Sequence, residues 1–317
     1  MRNLFSSAFC AGRGKIILSL AAISLYADSD AAKSPISLDV LQRDGYGSVE
    51  LLKLGEQNRL FVPAEINGEK LKLLLDTGWG DPGIAVGIDP SALHIVPQKG
   101  ITVGLSISGA RTLVGHGMAK SVVMGNVHIT DAPIYFGRFA GVGFVGFGFL
   151  KKNNAIIDLT NLRLYLRPPG KGRRVNLGPA LTSIGLASAP FTETAQGNFL
   201  VKVEVNGHPA QMALDTGAQV TTLDVRFAKL ADTKGWGRDD LGLIDAAGVV
   251  SPADFAGTKT FKIDQIPIRT PTVFLARFAG YDMTGGKMVG ALGLDVIGMN
   301  WGIIDIAQKR FYFAKAN

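Results

Sequence analysis

Two stretches of this chain carry the same small set of reactive groups: Leu73-Leu74-Leu75-Asp76-Thr77-Gly78 and, 139 residues later, Met212-Ala213-Leu214-Asp215-Thr216-Gly217. In each, an apolar run that reads as a buried strand delivers a carboxylate, a hydroxyl and a glycine to its end. An ionised aspartate in apolar surroundings is expensive, so the arrangement is a poor one for stability alone. Two folded halves could bring the carboxylates face to face. Two acids about 3 Å apart cannot both ionise; they share a proton and their pKa values separate, leaving one base and one acid for hydrolytic work on a water and a carbonyl. Because such a pair titrates together, neither Asp76 nor Asp215 is assigned one role.

The elements that must position these groups repeat as well. Leu60-Phe61-Val62 and Glu65-Ile66 lead to an Asn67-Gly68 turn and then to Leu71–Leu75, the strongest short-range hairpin pattern a sequence offers. At the same offset Phe199-Leu200-Val201, Glu204-Val205 and Asn206-Gly207 lead to Leu214. Arg138-Phe139-Ala140-Gly141 recurs as Arg277-Phe278-Ala279-Gly280. Eight extra residues around 281–287 then move the offset to 147, so that Gly143-Phe144-Val145-Gly146-Phe147 matches Gly290-Ala291-Leu292-Gly293-Leu294 and Ile156-Ile157-Asp158 matches Ile303-Ile304-Asp305. A period this long is one domain duplicated, not a solenoid repeat. Between the copies, the Pro, Gly and charge cluster from Arg167 to Arg174 reads as a linker. Short helices are expected after Gly146, after Gly293 and over Arg226–Asp232.

With 317 residues and 47% hydrophobic content the chain can bury sizeable cores, and its 40 glycines suit a turn-rich, strand-rich protein. The charge of +7 falls to near +4 without Arg2, Arg13 and Lys15, an excess too scattered to argue for nucleic acid. Those three bases precede an apolar run, Ile16–Ala27, that is long enough for a secretory signal and short for a membrane span. Export to the periplasm or outside the cell is therefore expected, with no stable membrane span. The only cysteine, Cys10, precedes that run, so the mature fold would stand without disulfides. The expected layout is a signal peptide over 1–27, a flexible lead-in over 28–46, a first lobe over 47–167, a linker and the start of the second lobe over 168–195, and a second lobe over 196–317.

Each half resembles the retropepsin-like, clan AA aspartic peptidases, in which a strand ends in Asp-Thr-Gly and a later hydrophobic-hydrophobic-glycine strand precedes a short helix. Asp76-Thr77-Gly78 with Phe144-Val145-Gly146 carries the likeness in the first copy, and Asp215-Thr216-Gly217 with Ala291-Leu292-Gly293 carries it in the second. The resemblance spans about 45–315. It implies an all-β fold of two β-barrel lobes related by a pseudo-twofold axis, a monomer built like a symmetric dimer. It further implies an aspartic endopeptidase with catalytic Asp76 and Asp215, supported by Thr77, Gly78, Thr216 and Gly217. The threonine hydroxyls would reach across the lobe interface, and the glycines would allow close backbone approach. No metal or organic cofactor is implied, and the partner is a polypeptide bound as an extended strand between the lobes. Flap candidates by spacing are Val114–Met118 and Asp245–Val250.

The sequence departs from the family pattern at Trp79, where a small residue is preferred, and at Phe147-Gly148, where the second copy has the more usual Leu294-Asp295. Trp79 favours an alternative from another class, a catalytically inactive retropepsin-like peptide-binding protein; the two intact Asp-Thr-Gly units favour the enzyme. Gly141–Gly146 spells a dinucleotide-loop pattern without a long helix to follow it. His94, His116, His128 and His208 share no metal-ligand spacing. Asp158 and Asp305, each after Ile-Ile, read as structural strand ends.

Overall fold

The computed structural model describes residues 38–54, 59–78, 80, 83–105, 109–139, 143–170, 175–195, 197–237, 241–245 and 247–316. The fold is all-β and two-lobed, with only short helices between strands. The expected signal peptide over 1–27, and with it Cys10, lies outside the described residues. Among those described, no helix is long and apolar enough to cross a membrane.

In the first half, the strand Arg59–Ile66 alternates between half-buried and buried along its whole length, as a strand with one face on a core must. It turns at Asn67 (φ 50°) and Gly68 (φ 93°) into the strand Glu69–Asp76, pairing from Ile66 with Glu69 to Phe61 with Leu74. Positive φ at both turn residues is what the Asn-Gly pair supplies. The second half repeats the device with Asn206 (φ 51°) and Gly207 (φ 84°) between Phe199–Val205 and His208–Leu214. Each Asn also ties its turn to the body. Asn67 donates to the Leu93 carbonyl and accepts from Ser121 N, while Asn206 donates to the Ala231 carbonyl and accepts from Lys259 N and Thr260 N.

The halves meet in a six-stranded antiparallel sheet. Its order is Gly47–Glu50, Arg163–Leu166, Ile156–Asp158, Ile303–Asp305, Arg310–Phe313 and Ala187–Glu193, three strands from either side. At its centre Ile157 faces Ile304, flanked by Ile156 with Asp305 and Asp158 with Ile303, a self-complementary register. Asp158 and Asp305 are buried and accept hydrogen bonds from the backbone of the turns that follow them, Thr160 N and Asn161 N in one case and Gln308 N in the other.

Two expectations need correcting. The lead-in expected to be flexible over 28–46 carries a helix from Leu38 to Arg43. Leu41 and Tyr46 are buried against Ile156, Tyr165 and Tyr312 of the six-stranded sheet. Apolar side chains in a polar-looking segment had a sheet face to cover. The flap candidate Val114–Met118 is not a hairpin tip. It lies inside the strand Arg111–Met124, paired on one side with Thr102–Leu105 and on the other with Val127–Gly137. The strands Thr102–Leu105 and Arg111–Met124 are connected through 106–110, of which 106–108 lie outside the described residues. The other candidate, Asp245–Val250, does span a hairpin turn, between Leu241–Ile244 and Val250–Gly257. The helices expected after Gly146 and Gly293 are Phe147–Lys152 and Leu294–Ile297, and that expected over Arg226–Asp232 is Val225–Leu230.

Candidate active site

Both aspartates sit at the ends of strands that lie parallel to a glycine-terminated strand. In the first half Leu74, Leu75 and Asp76 pair with Phe144, Val145 and Gly146. In the second, Ala213 and Leu214 pair with Ala291 and Leu292, and Asp215 N donates to the Leu292 carbonyl at 3.0 Å. Leu73, Leu75 and Leu214 are fully buried, which anchors the strands that carry the acids. Gly293 is dictated by space: a Cβ there would stand 2.5 Å from the Val220 carbonyl carbon.

The two threonines link the halves. Thr77 Oγ1 donates to the Leu214 carbonyl at 2.7 Å, and Thr216 Oγ1 donates to the Leu75 carbonyl at 2.8 Å. Each hydroxyl also accepts from the other threonine's amide, Thr216 N at 2.9 Å and Thr77 N at 3.1 Å. Both residues are completely buried. Four hydrogen bonds thus satisfy the polar groups of the two side chains where these strand ends from opposite halves converge.

The same crossing brings the acids together. A Cβ built on Gly78 would stand 2.5 Å from Cγ of Asp215, and one built on Gly217 would stand 2.5 Å from Oδ1 of Asp76. Each glycine is therefore the floor on which the other half's carboxyl rests. Asp76 Oδ1 accepts from Gly78 N at 3.0 Å, and Asp215 Oδ1 accepts from Gly217 N at 2.9 Å and Ala218 N at 3.1 Å. Burial pushes the Asp215 carboxyl above the usual carboxylate range, against hydrogen bonds from Ala218 N, Gly217 N, the Asp76 carboxyl and Gly78 N, which pull it down. Asp76 is only 8% exposed.

All six residues expected to form the site, Asp76, Thr77, Gly78, Asp215, Thr216 and Gly217, are brought together. Trp79 and Asp81, the departures in the first loop, lie outside the described residues. Sequence reasoning did not include a clamp behind the second loop. Asp295 Oδ2 accepts from Thr221 N at 2.9 Å and Oδ1 from Thr221 Oγ1 at 2.8 Å, while Leu294 N and Asp295 N donate to the Ala218 and Gln219 carbonyls. Burial raises the Asp295 carboxyl to about 6, with the Thr221 hydrogen bonds opposing. The signal was the contrast between Leu294-Asp295 and Phe147-Gly148; the first half has no side chain at the matching place.

An aspartyl protease family model matches residues 201–300, which contain Asp215, Thr216 and Gly217. The crystal structure of an aspartic proteinase from Irpex lacteus superposes with a TM-score of 0.52 at 13% identity, over 86% of this chain and 98% of that one. The chain has the fold of an aspartic protease. Basic 7S globulin from soybean aligns with a TM-score of 0.49 at 12% identity, over 86% of this chain and 95% of that one. Among curated proteins, none matches the chain.

Within this aspartic-protease fold each half presents a small apolar cluster on the face that carries its acid, because residues two apart on a strand share a face. In the first it is Leu74, Ala85 and Phe144, edged by Phe61 and Phe139. In the second it is Leu200, Ala213, Phe278, Met288 and Ala291. The matching positions differ in size, aromatic on one side and largely aliphatic on the other.

Proposed function

We propose that the protein is an aspartic endopeptidase with one active site per chain, formed by Asp76 and Asp215. A polypeptide lies extended between the halves, held by main-chain hydrogen bonds, with side chains received by the apolar clusters beside each acid. A water between the carboxyls loses a proton to one of them as it attacks the scissile carbonyl, and the other delivers a proton to the carbonyl oxygen. Burial that disfavours a second negative charge keeps the pair singly protonated, the state this division of labour needs. The threonine lattice holds the two strand ends so that neither acid drifts, since a displacement of 1 Å would forfeit much of the rate.

The observation that carries this reading is reciprocal: each Asp-Thr-Gly glycine abuts the opposite half's carboxyl. Strand-end aspartates with a purely local role would have no cause to meet across the interface. The test is digestion of an unfolded protein from acidic to neutral pH by the wild type, Asp76→Asn and Asp215→Asn. Cleavage is expected from the wild type alone. Equal cleavage by either variant refutes the assignment.

A further inference from the structure

Among the described residues, a cation stands beside this acid pair on one side only. Arg59 begins the strand that pairs with the Asp76 strand, and the register that sets Phe61 against Leu74, continued by two residues, puts Arg59 across from Asp76. Directly opposed residues on neighbouring antiparallel strands project from the same face. Arg59, Phe61, Leu74 and Asp76 thus share the surface toward the cleft. Arg59 is held half-buried, and its Nε is enclosed with no hydrogen-bond partner in the structure. Among the described residues none forms a salt bridge with it. Burial lowers its pKa while the charge of Asp76 acts in the opposite sense.

A guanidinium stays charged in a protein and offers five donors in a fixed fork, so leaving its Nε enclosed and unpartnered is costly. The second half avoids that cost. Its register sets Leu200 against Ala213 and, continued likewise, Asn198 across from Asp215. Asn198 is neutral and is tied down by Thr194, whose Oγ1 accepts from Asn198 N at 3.1 Å. The cation therefore belongs to one end of the cleft.

The geometry points to Arg59 as a specificity-determining residue: it receives a carboxylate of the bound peptide on the Asp76 side of the cleft. This rests on the peptide-binding cleft proposed above. A planar fork on the face it shares with Phe61 and Leu74 suits an acidic group next to an apolar or aromatic residue. The carboxylate can be a Glu or Asp side chain or the peptide's own C-terminus.

The test uses fluorescein-labelled heptapeptides of Ala, Leu and Phe in which one Glu or its isostere Gln is placed at each position in turn, each made with a free and an amidated C-terminus. Binding by anisotropy is measured on the full chain for the wild type, Arg59→Lys, Arg59→Met and Asp215→Asn, and cleavage is followed in parallel. The wild type is expected to prefer the carboxylate about tenfold or more, as charge-assisted hydrogen bonds allow. Arg59→Met loses the preference and Arg59→Lys keeps part of it. A preference that needs Glu at one position identifies a side-chain carboxylate, and one abolished by amidation identifies the C-terminus. A wild type indifferent to charge, or an Arg59→Met variant as selective as the wild type, overturns the inference. Selective binding without cleavage by the wild type keeps the inference and sinks the peptidase reading instead.

Discussion

Replacing Thr77 by valine keeps the shape of the side chain and removes its only polar atom. In the folded protein that atom donates to the Leu214 carbonyl and accepts from Thr216 N, and all of these groups are shut away from water. Valine leaves one acceptor and one donor stranded, each at about 1–3 kcal/mol. The two losses together come to about 4 kcal/mol, a large part of the 5–15 kcal/mol that typically separates folded from unfolded chains. For a chain of this size the thermal midpoint should fall by about 6 °C. Thr77→Ser, which retains both bonds and gives up one methyl, should cost about 1 kcal/mol. The pair Thr77→Val with Thr216→Val strands four different backbone groups, Leu214 O, Thr216 N, Leu75 O and Thr77 N, and should cost about the sum of the single changes. Urea unfolding of the wild type, the three single variants and the double variant gives the comparison. A Thr77→Val protein within 0.5 kcal/mol of the wild type, or one no worse than Thr77→Ser, would refute the view that these hydroxyls bind the halves together.

Gly78→Ala should reduce peptide cleavage at least 100-fold while the protein still folds, because its Cβ would occupy the place of the Asp215 carboxyl; turnover beside a circular-dichroism spectrum decides it. Asp295 has a folded pKa of about 6, raised from 3.8, so its contribution is fully present below about pH 4 and is lost as pH rises through 6. The fall is at most about 3 kcal/mol, and Asp295→Asn should flatten the stability profile over that window, which denaturant titrations at pH 4 and pH 7 would reveal. Asn206→Ala gives up bonds to Ala231 O, Lys259 N and Thr260 N and places a Cβ residue at φ 51°, at a cost of about 3 kcal/mol; Asn206→Gly should recover only the backbone part.

Local patterns were legible where one chemical requirement dictates one residue type. Asn67-Gly68 and Asn206-Gly207 announce their turns because few other pairs tolerate two positive φ values in succession. Asp-Thr-Gly announces a strand end because a carboxylate after three apolar residues has no cheap alternative. The helix Leu38–Arg43 was hidden: its worth lies in covering Ile156 and Tyr165, far along the chain, and a short helix has little signal of its own. The first flap was misplaced because Gly115 and Gly117 look like turn residues. They are glycines in a long strand instead, where a Cβ on Gly117 would be 2.5 Å from Ile95 Cγ2. Arg59 escaped notice since nothing in its neighbourhood names Asp76 until the hairpin register is counted.

The order in which parts of this molecule become available follows from the six-stranded sheet. Two of its strands, Ile303–Asp305 and Arg310–Phe313, follow every other described strand along the chain, and the first of them is the one that joins Ile157 to the opposite half. The strand beside Asp215, Met288–Leu292, comes only shortly before. A nascent chain can fold its first hairpin early, but it cannot bring Asp76 and Asp215 together before these strands have been made. A truncated chain ending at Gly302 should accordingly show no cleavage, so that unfinished products of translation carry half a site and no hydrolytic hazard.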